Sequence, residues 1–207
     1  MSTLTGDYEI TGSLRVNGAI TGPIARANLV SENTAIYPIH LVDYRVHDAL
    51  QTNLPAIGAA DDLGFVGGVY GTTVAHLKTQ DLNAAGAVTE YARASFVLPT
   101  EYVSGGPISF RIRAGMLTSV GSVSGTVDAQ AFLNNGDTLV SGSDLCTTSA
   151  QSANSLTFAN YDFTLTPTSR VPGEVIDVRI AWIGNSATAS SHFGAITATS
   201  FILQVKG

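Results

Sequence analysis

From about residue 63 onward, apolar and polar positions alternate along the chain with the period of a half-buried strand. In ISFRIRAGM, Ile108, Phe110 and Ile112 fall on one side while Ser109, Arg111 and Arg113 fall on the other. VIDVRIAWI repeats the pattern, with Ile176, Val178, Ile180 and Trp182 opposing Asp177 and Arg179. Further strands are read in LGFVGGVYG with TTVAHLKTQ, in YARASFVLP, SGTVDAQAFL and LTFANYDFTLT, and in AITATSFILQVKG. The segments between them, GG, NNGD, SGSD, PTSRVPG and GNSATASS, are turn chemistry. Adding IYPIHLVDYRV (residues 36–46) makes about eight or nine strands with no convincing helix between them, so crossover connections for a parallel sheet are missing. The pattern predicts an all-β fold, an antiparallel β-sandwich that is jelly-roll-like, with an immunoglobulin-like strand order as the competing topology. Because the last strand runs almost to Gly207, that residue is expected to end at a sheet edge or in a neighbour's groove.

The opening stretch TGDYEITGSLRVNGAITG follows a different rhythm. Its glycines fall at Gly6, Gly12, Gly18 and Gly22, and Ile10, Leu14, Val16 and Ile20 alternate with polar residues. Asn17-Gly18 is a strong hairpin signal. An isolated two-stranded hairpin is marginal in water, so this Gly-punctuated β arm is expected to need a partner. Three chains contributing their short apolar strands to a common axis would supply one. A plain linker is the alternative. The chain is accordingly divided into an N-terminal arm over 1–24, a connector over 25–62 and a β-sandwich domain over 63–207. Within the connector, VHDALQTNLPAIGAADD (residues 46–62) has room for a turn of helix before Pro55.

Composition agrees with a β fold. Charged residues make up 13% and hydrophobic residues 44%, so uncharged polar groups must cover the surface, and 19 Ser and 23 Thr supply them. With a net charge of -6, only two lysines (Lys78 and Lys206) and no basic cluster, no nucleic acid is expected as a partner. No run approaches the roughly 18 apolar residues of a membrane span, and MSTLTGDYEI lacks the basic and apolar regions of a secretory signal. The single cysteine, Cys146, excludes an intrachain disulfide and is read as a buried thiol.

A search for reactive groups finds no catalytic residue, no cofactor motif and no metal site. His40, His47, His76 and His192 form no H-E-x-x-H pattern or close pair, and are read as exposed strand or loop residues. There is no G-x-S-x-G elbow, and GDTLVSGSD with Asp137 and Asp144 does not match a calcium loop, which favours a solvated turn. Trp182 is placed by alternation in the core. Tyr8, Tyr37, Tyr44 and Tyr102 lie at or beside turns, where such rings serve interfaces or simply fill strand ends.

TGDYEITGSLRVNGAITG at the front and VIDVRIAWIGNSATASSHFGAITATSFILQVKG at the back together resemble the structural proteins of tailed bacteriophages, in particular the capsid decoration, or cement, proteins. The resemblance implies a non-enzymatic homotrimer that is made in the host cytoplasm, sits on the outer capsid surface of the virion, and bridges capsomers through the major capsid protein. It would give Tyr8, Ile10, Leu14, Val16 and Ile20 to the trimer axis or the capsid contact. A trimeric tail-fibre or receptor-binding tip with a jelly-roll head is the second expectation, and a glycan-processing enzyme on a β-sandwich ranks below both.

Overall fold

The computed structural model of the chain describes residues 32–118, 121, 123–134, 142–187 and 190–206. The arm residues Tyr8, Ile10, Leu14, Val16 and Ile20, and with them the expected arm over 1–24, lie outside this range.

Twelve strands are present among the described residues. They are β1 (Glu32–Ile39), β2 (Arg45–Val46), β3 (Ala49–Asn53), β4 (Gly64–Val66), β5 (His76–Lys78) and β6 (Gly86–Val97), then β7 (Ile108–Met116), β8 (Val123–Asn134), β9 (Gln151–Ser152), β10 (Ala159–Leu165), β11 (Val175–Ser186) and β12 (Gly194–Lys206). One sheet has the order β10-β7-β12-β5-β4, with β1 also paired to β12. The second runs β3-β2-β6-β11-β8-β9. The strand pairings are antiparallel throughout, and the fold is a two-sheet antiparallel β-sandwich of jelly-roll-like topology. Residues 32–53, within the stretch expected as a connector, contribute β1, β2 and β3 to the two sheets. A short 3-10 turn (Leu41–Asp43) between β1 and β2 carries the chain from the first sheet to the second.

Alternation does what the sequence pattern dictates. Ile108, Phe110, Ile112 and Ala114 on β7, and Ile176, Val178, Ile180 and Trp182 on β11, are almost fully buried. Small residues, Ala92, Ala94, Ala129 and Ala131, line the buried face of the second sheet, while Phe110, Phe163 and Phe201 fill that of the first. Large and small side chains thus share the space between layers. On β12 the alternation slips at Thr197, which the pairing with β7 skips; this bulge turns Thr199, Phe201 and Leu203 inward in step with Ile196. Gly207, expected at a sheet edge or in a neighbour's groove, lies outside the described residues; β12 itself is flanked by β7 on one side and by β1 and β5 on the other. Its run of apolar residues fits a strand paired on both sides.

The Trp182 ring lies so close to the backbone of Gly194 that a Cβ there would stand 2.1 Å from it, and a Cβ at Gly125 would stand 2.8 Å away. On β6, directly opposite Trp182, Glu90 points inward and is 1% exposed. Both of its carboxylate oxygens accept from the Gln80 N–H, each at 3.1 Å. Burial pushes its pKa up to about 7, against the opposing pull of that hydrogen bond.

Candidate functional site

The outward faces of β6, β11 and β8 form a grid whose rows follow from strand register. One row is Arg45, Arg93, Arg179 and Gln130; on either side of it run Tyr91, Ala181 and Asp128, and Ser95, Asp177 and Phe132. Three arginines therefore stand directly opposite one another across neighbouring strands, an arrangement that costs free energy unless the charges are answered. Each is answered differently. The Arg45 guanidinium donates to the carbonyls of Val42 and Tyr44. Arg93 forms a forked pair with Asp177, its Nε donating to both carboxylate oxygens at 2.8 Å and its Nη2 donating to Oδ2. That bond raises the Arg93 pKa further, outweighing the lowering by burial. Arg179 donates to Gln130 Oε1 and lies 4.4 Å above the Tyr91 ring.

Two adjoining hollows open on this face. The larger, about 320 Å³, is lined by His47, Arg93, Gln130, Phe132, Asp177 and Arg179. The smaller, about 200 Å³, continues past Tyr91 and Asp128 and shares Gln130 and Arg179 with the first. Phe132 is half-buried and presents an apolar surface beside the Arg93–Asp177 pair. Asp128 is partly buried, which raises its pKa, although its Oδ1 accepts from the Ala129 N–H at 2.9 Å. The side chains are thus held by one another before any ligand arrives.

His47 sits at the rim, in the turn between β2 and β3. Its ring packs against Tyr91 with centroids 4.7 Å apart. Its Nδ1 is 3.3 Å from Asp62 Oδ1 and its Nε2 is 3.7 Å from Asp61 Oδ2. The two aspartates occupy a turn clamped to β6, where the Tyr91 N–H donates to the Asp61 carbonyl and the Leu63 N–H donates to the Tyr91 carbonyl.

Two of the histidines depart from the exposed setting read for them, while His40 keeps it. His47 is largely covered and His192 is 2% exposed. Among the tyrosines considered for interfaces, Tyr44 and Tyr102 are interior: the first donates to Thr199 Oγ1 and the second to the Gly106 carbonyl. Tyr37 donates to Glu101 at the surface. Asp144, considered for a calcium loop, accepts from the Ala131 and Cys146 N–H groups through Oδ1. Cys146 is half-buried, and burial pushes its thiol up to about 11.

Sequence reasoning passed over Tyr91, Arg93, Gln130, Phe132, Asp177 and Arg179 as functional residues. Asp177 and Arg179 were visible as the polar side of β11, but their partners come from strands remote in sequence, and strand order was not legible.

No family model and no curated protein matches the chain. Solved structures do. It is similar to TmCBM61 in complex with β-1,4-galactotriose (10% identity, 71% of this chain and 86% of that one, TM-score 0.43). It is also similar to the CBM22-1 xylan-binding domain of Paenibacillus barcinonensis Xyn10C (12% identity, 70% and 82%, TM-score 0.38). A third likeness is to infectious bursal disease virus, Gx strain, at 16% identity and TM-score 0.38, covering 84% of this chain but 32% of that one. At such scores the likeness extends to architecture alone. The neighbours are nevertheless mostly carbohydrate-binding modules, and the resemblance to tailed-phage decoration proteins is withdrawn. With it go the cement role, the tail-fibre alternative, the homotrimer on a head, the major capsid protein as partner and the virion surface as location. The resemblance rested on the arm, which lies outside the described residues, and on the C-terminal composition. That composition is what β11 and β12 need as interior strands of two different sheets.

Proposed function

We propose that the outer face of β6, β11 and β8 binds an oligosaccharide, without catalysis. The observation that carries this reading is the preformed polar row beside Phe132: Arg93 held by Asp177, and Arg179 held by Gln130 and Tyr91. A sugar ring presents hydroxyls around its edge and C–H groups on its faces. Guanidinium donors and carboxylate and amide acceptors suit the first, and an aromatic ring such as Phe132 suits the second. Two shallow, adjoining hollows suit an elongated chain better than a compact apolar ligand, for which pockets are deeper and more enclosed. The carboxylates on this face serve structure: Asp177 is engaged by Arg93, and Asp128 by its backbone contact.

The test is affinity electrophoresis of the full chain through gels containing soluble galactan, xylan, mannan or an acidic polysaccharide. Retardation by at least one polymer is expected, with F132A and Q130A each weakening it several-fold while the folded-state fluorescence of Trp182 is unchanged. Absence of retardation in every gel, or retardation that F132A and Q130A leave intact, would overturn the reading.

A further inference from the structure

We propose that His47, Asp61 and Asp62 form a binding site for a first-row divalent transition metal such as Zn2+, joining the β2–β3 turn to the turn that precedes β4. This inference is independent of oligosaccharide binding. One ring nitrogen of His47 and one oxygen of each carboxylate lie within 4.8 Å of one another. The Nδ1 to Asp62 distance of 3.3 Å and the Nε2 to Asp61 distance of 3.7 Å are long for charge-assisted hydrogen bonds, which run about 2.7–2.9 Å. One ion takes only one of the two ring nitrogens, so the 3.3 Å between Nδ1 and Asp62 Oδ1 is the ligand pair; it matches neighbouring ligands around a tetrahedral ion, which with bonds of about 2.0–2.2 Å stand about 3.3–3.6 Å apart. Asp62 and His47 are largely covered and positioned by the framework, whereas the Asp61 side chain is 59% exposed and free to rotate onto the ion.

Charge supports the same assignment. Two carboxylates meet here, and among the described residues no Lys or Arg forms an ion pair with either. The Arg93 guanidinium donates to the His47 carbonyl, and its charge is engaged by Asp177. The donor set decides the class of cation. Imidazole with two carboxylates suits zinc and its neighbours, while calcium takes six to eight oxygens and magnesium prefers an octahedron of oxygens. With three protein ligands, a tetrahedral ion would keep one position open to solvent at the rim of the larger hollow, which His47 also lines.

A proton on His47 is the competing occupant, since the charged imidazole would also answer both aspartates. The experiment separates the two. The full chain, stripped with EDTA, is titrated with Zn2+ by calorimetry at pH 7.5 and melted with and without the metal; Co2+ replaces Zn2+ for visible absorption. One equivalent of saturable binding, a raised Tm and the strong d–d absorption of low-coordinate Co2+ are expected. H47Q and D61N should each weaken affinity at least tenfold, while H76Q, in a half-exposed histidine on β5, leaves it unchanged. D61N alters an exposed side chain, so it tests the site even if H47Q impairs folding. Absence of saturable binding, binding that survives D61N, or a Tm that responds to acidification and not to Zn2+ would overturn the assignment.

Discussion

Glu90 makes the stability of the sandwich depend on pH in an unusual direction. The carboxyl is 1% exposed, and its pKa stands at about 7 against an ordinary 4.5. Between those values the folded chain keeps a proton that the unfolded chain has released. Stability therefore falls as pH rises from about 4.5 to about 7, and the loss is complete above the folded value. At about 1.4 kcal/mol per pH unit, the full loss is about 3 kcal/mol. Replacing Glu90 by Gln removes the titration but keeps an oxygen to accept from the Gln80 N–H. The assay is urea unfolding at pH 5, 6, 7 and 8, followed by fluorescence. The chain has one tryptophan, Trp182, buried opposite Glu90, so its emission reports opening of this part of the core. Subtracting the E90Q profile from that of the parent cancels other titrating groups, including Asp128, which is shifted in the same direction. The parent should lose about 2.5 kcal/mol relative to E90Q between pH 5 and pH 8, the rest of the loss falling below pH 5. Parallel profiles would refute the reasoning and show that the folded protein ionises Glu90 without cost.

Gly194→Ala should destabilise the fold by about 1–3 kcal/mol, because the new methyl group meets the Trp182 ring at the centre of the sandwich and neither can step aside easily; the urea midpoint measures it. Cys146 should react slowly with iodoacetamide at pH 8, its rate still climbing about tenfold per pH unit past pH 9 where an ordinary thiol levels off, since burial holds the thiol at about 11. Mass spectrometry of the alkylated fraction over time decides this.

The sandwich was legible because its strands obey period two: the buried faces of β7 and β11 are the ones that alternation assigns. β2 and β9, two residues each, leave too short a trace to register as strands. The place of β12 between two neighbours was not legible, because its pairing depends on β1, far away in sequence. The candidate site was illegible for the same reason. Arg45, Arg93, Arg179 and Gln130 form one row only once four strands are laid side by side, and His47 meets Asp61 and Asp62 only because both turns are pinned beside β6. Composition misled where it was asked for function. Hydroxyl-rich, lysine-poor strands satisfy any sandwich, and they do not distinguish one partner from another.

The central position of β12 has a consequence for how the nascent chain reaches its native state. Glu32 lies opposite Lys206, so the first sheet joins the earliest described strand to the latest. Until β12 emerges from the ribosome, β7 has β10 on one side and an open edge on the other, with the inward face of Phe110 and Ile112 uncovered. The second sheet can assemble earlier, since β6, β8 and β11 are complete by residue 186. Closing pairings that span nearly the whole chain makes folding slow, and the waiting half-sandwich exposes an apolar edge open to pairing with other chains. Between the synthesis of β7 and that of β12, a stalled or truncated chain therefore keeps an open strand edge prone to association.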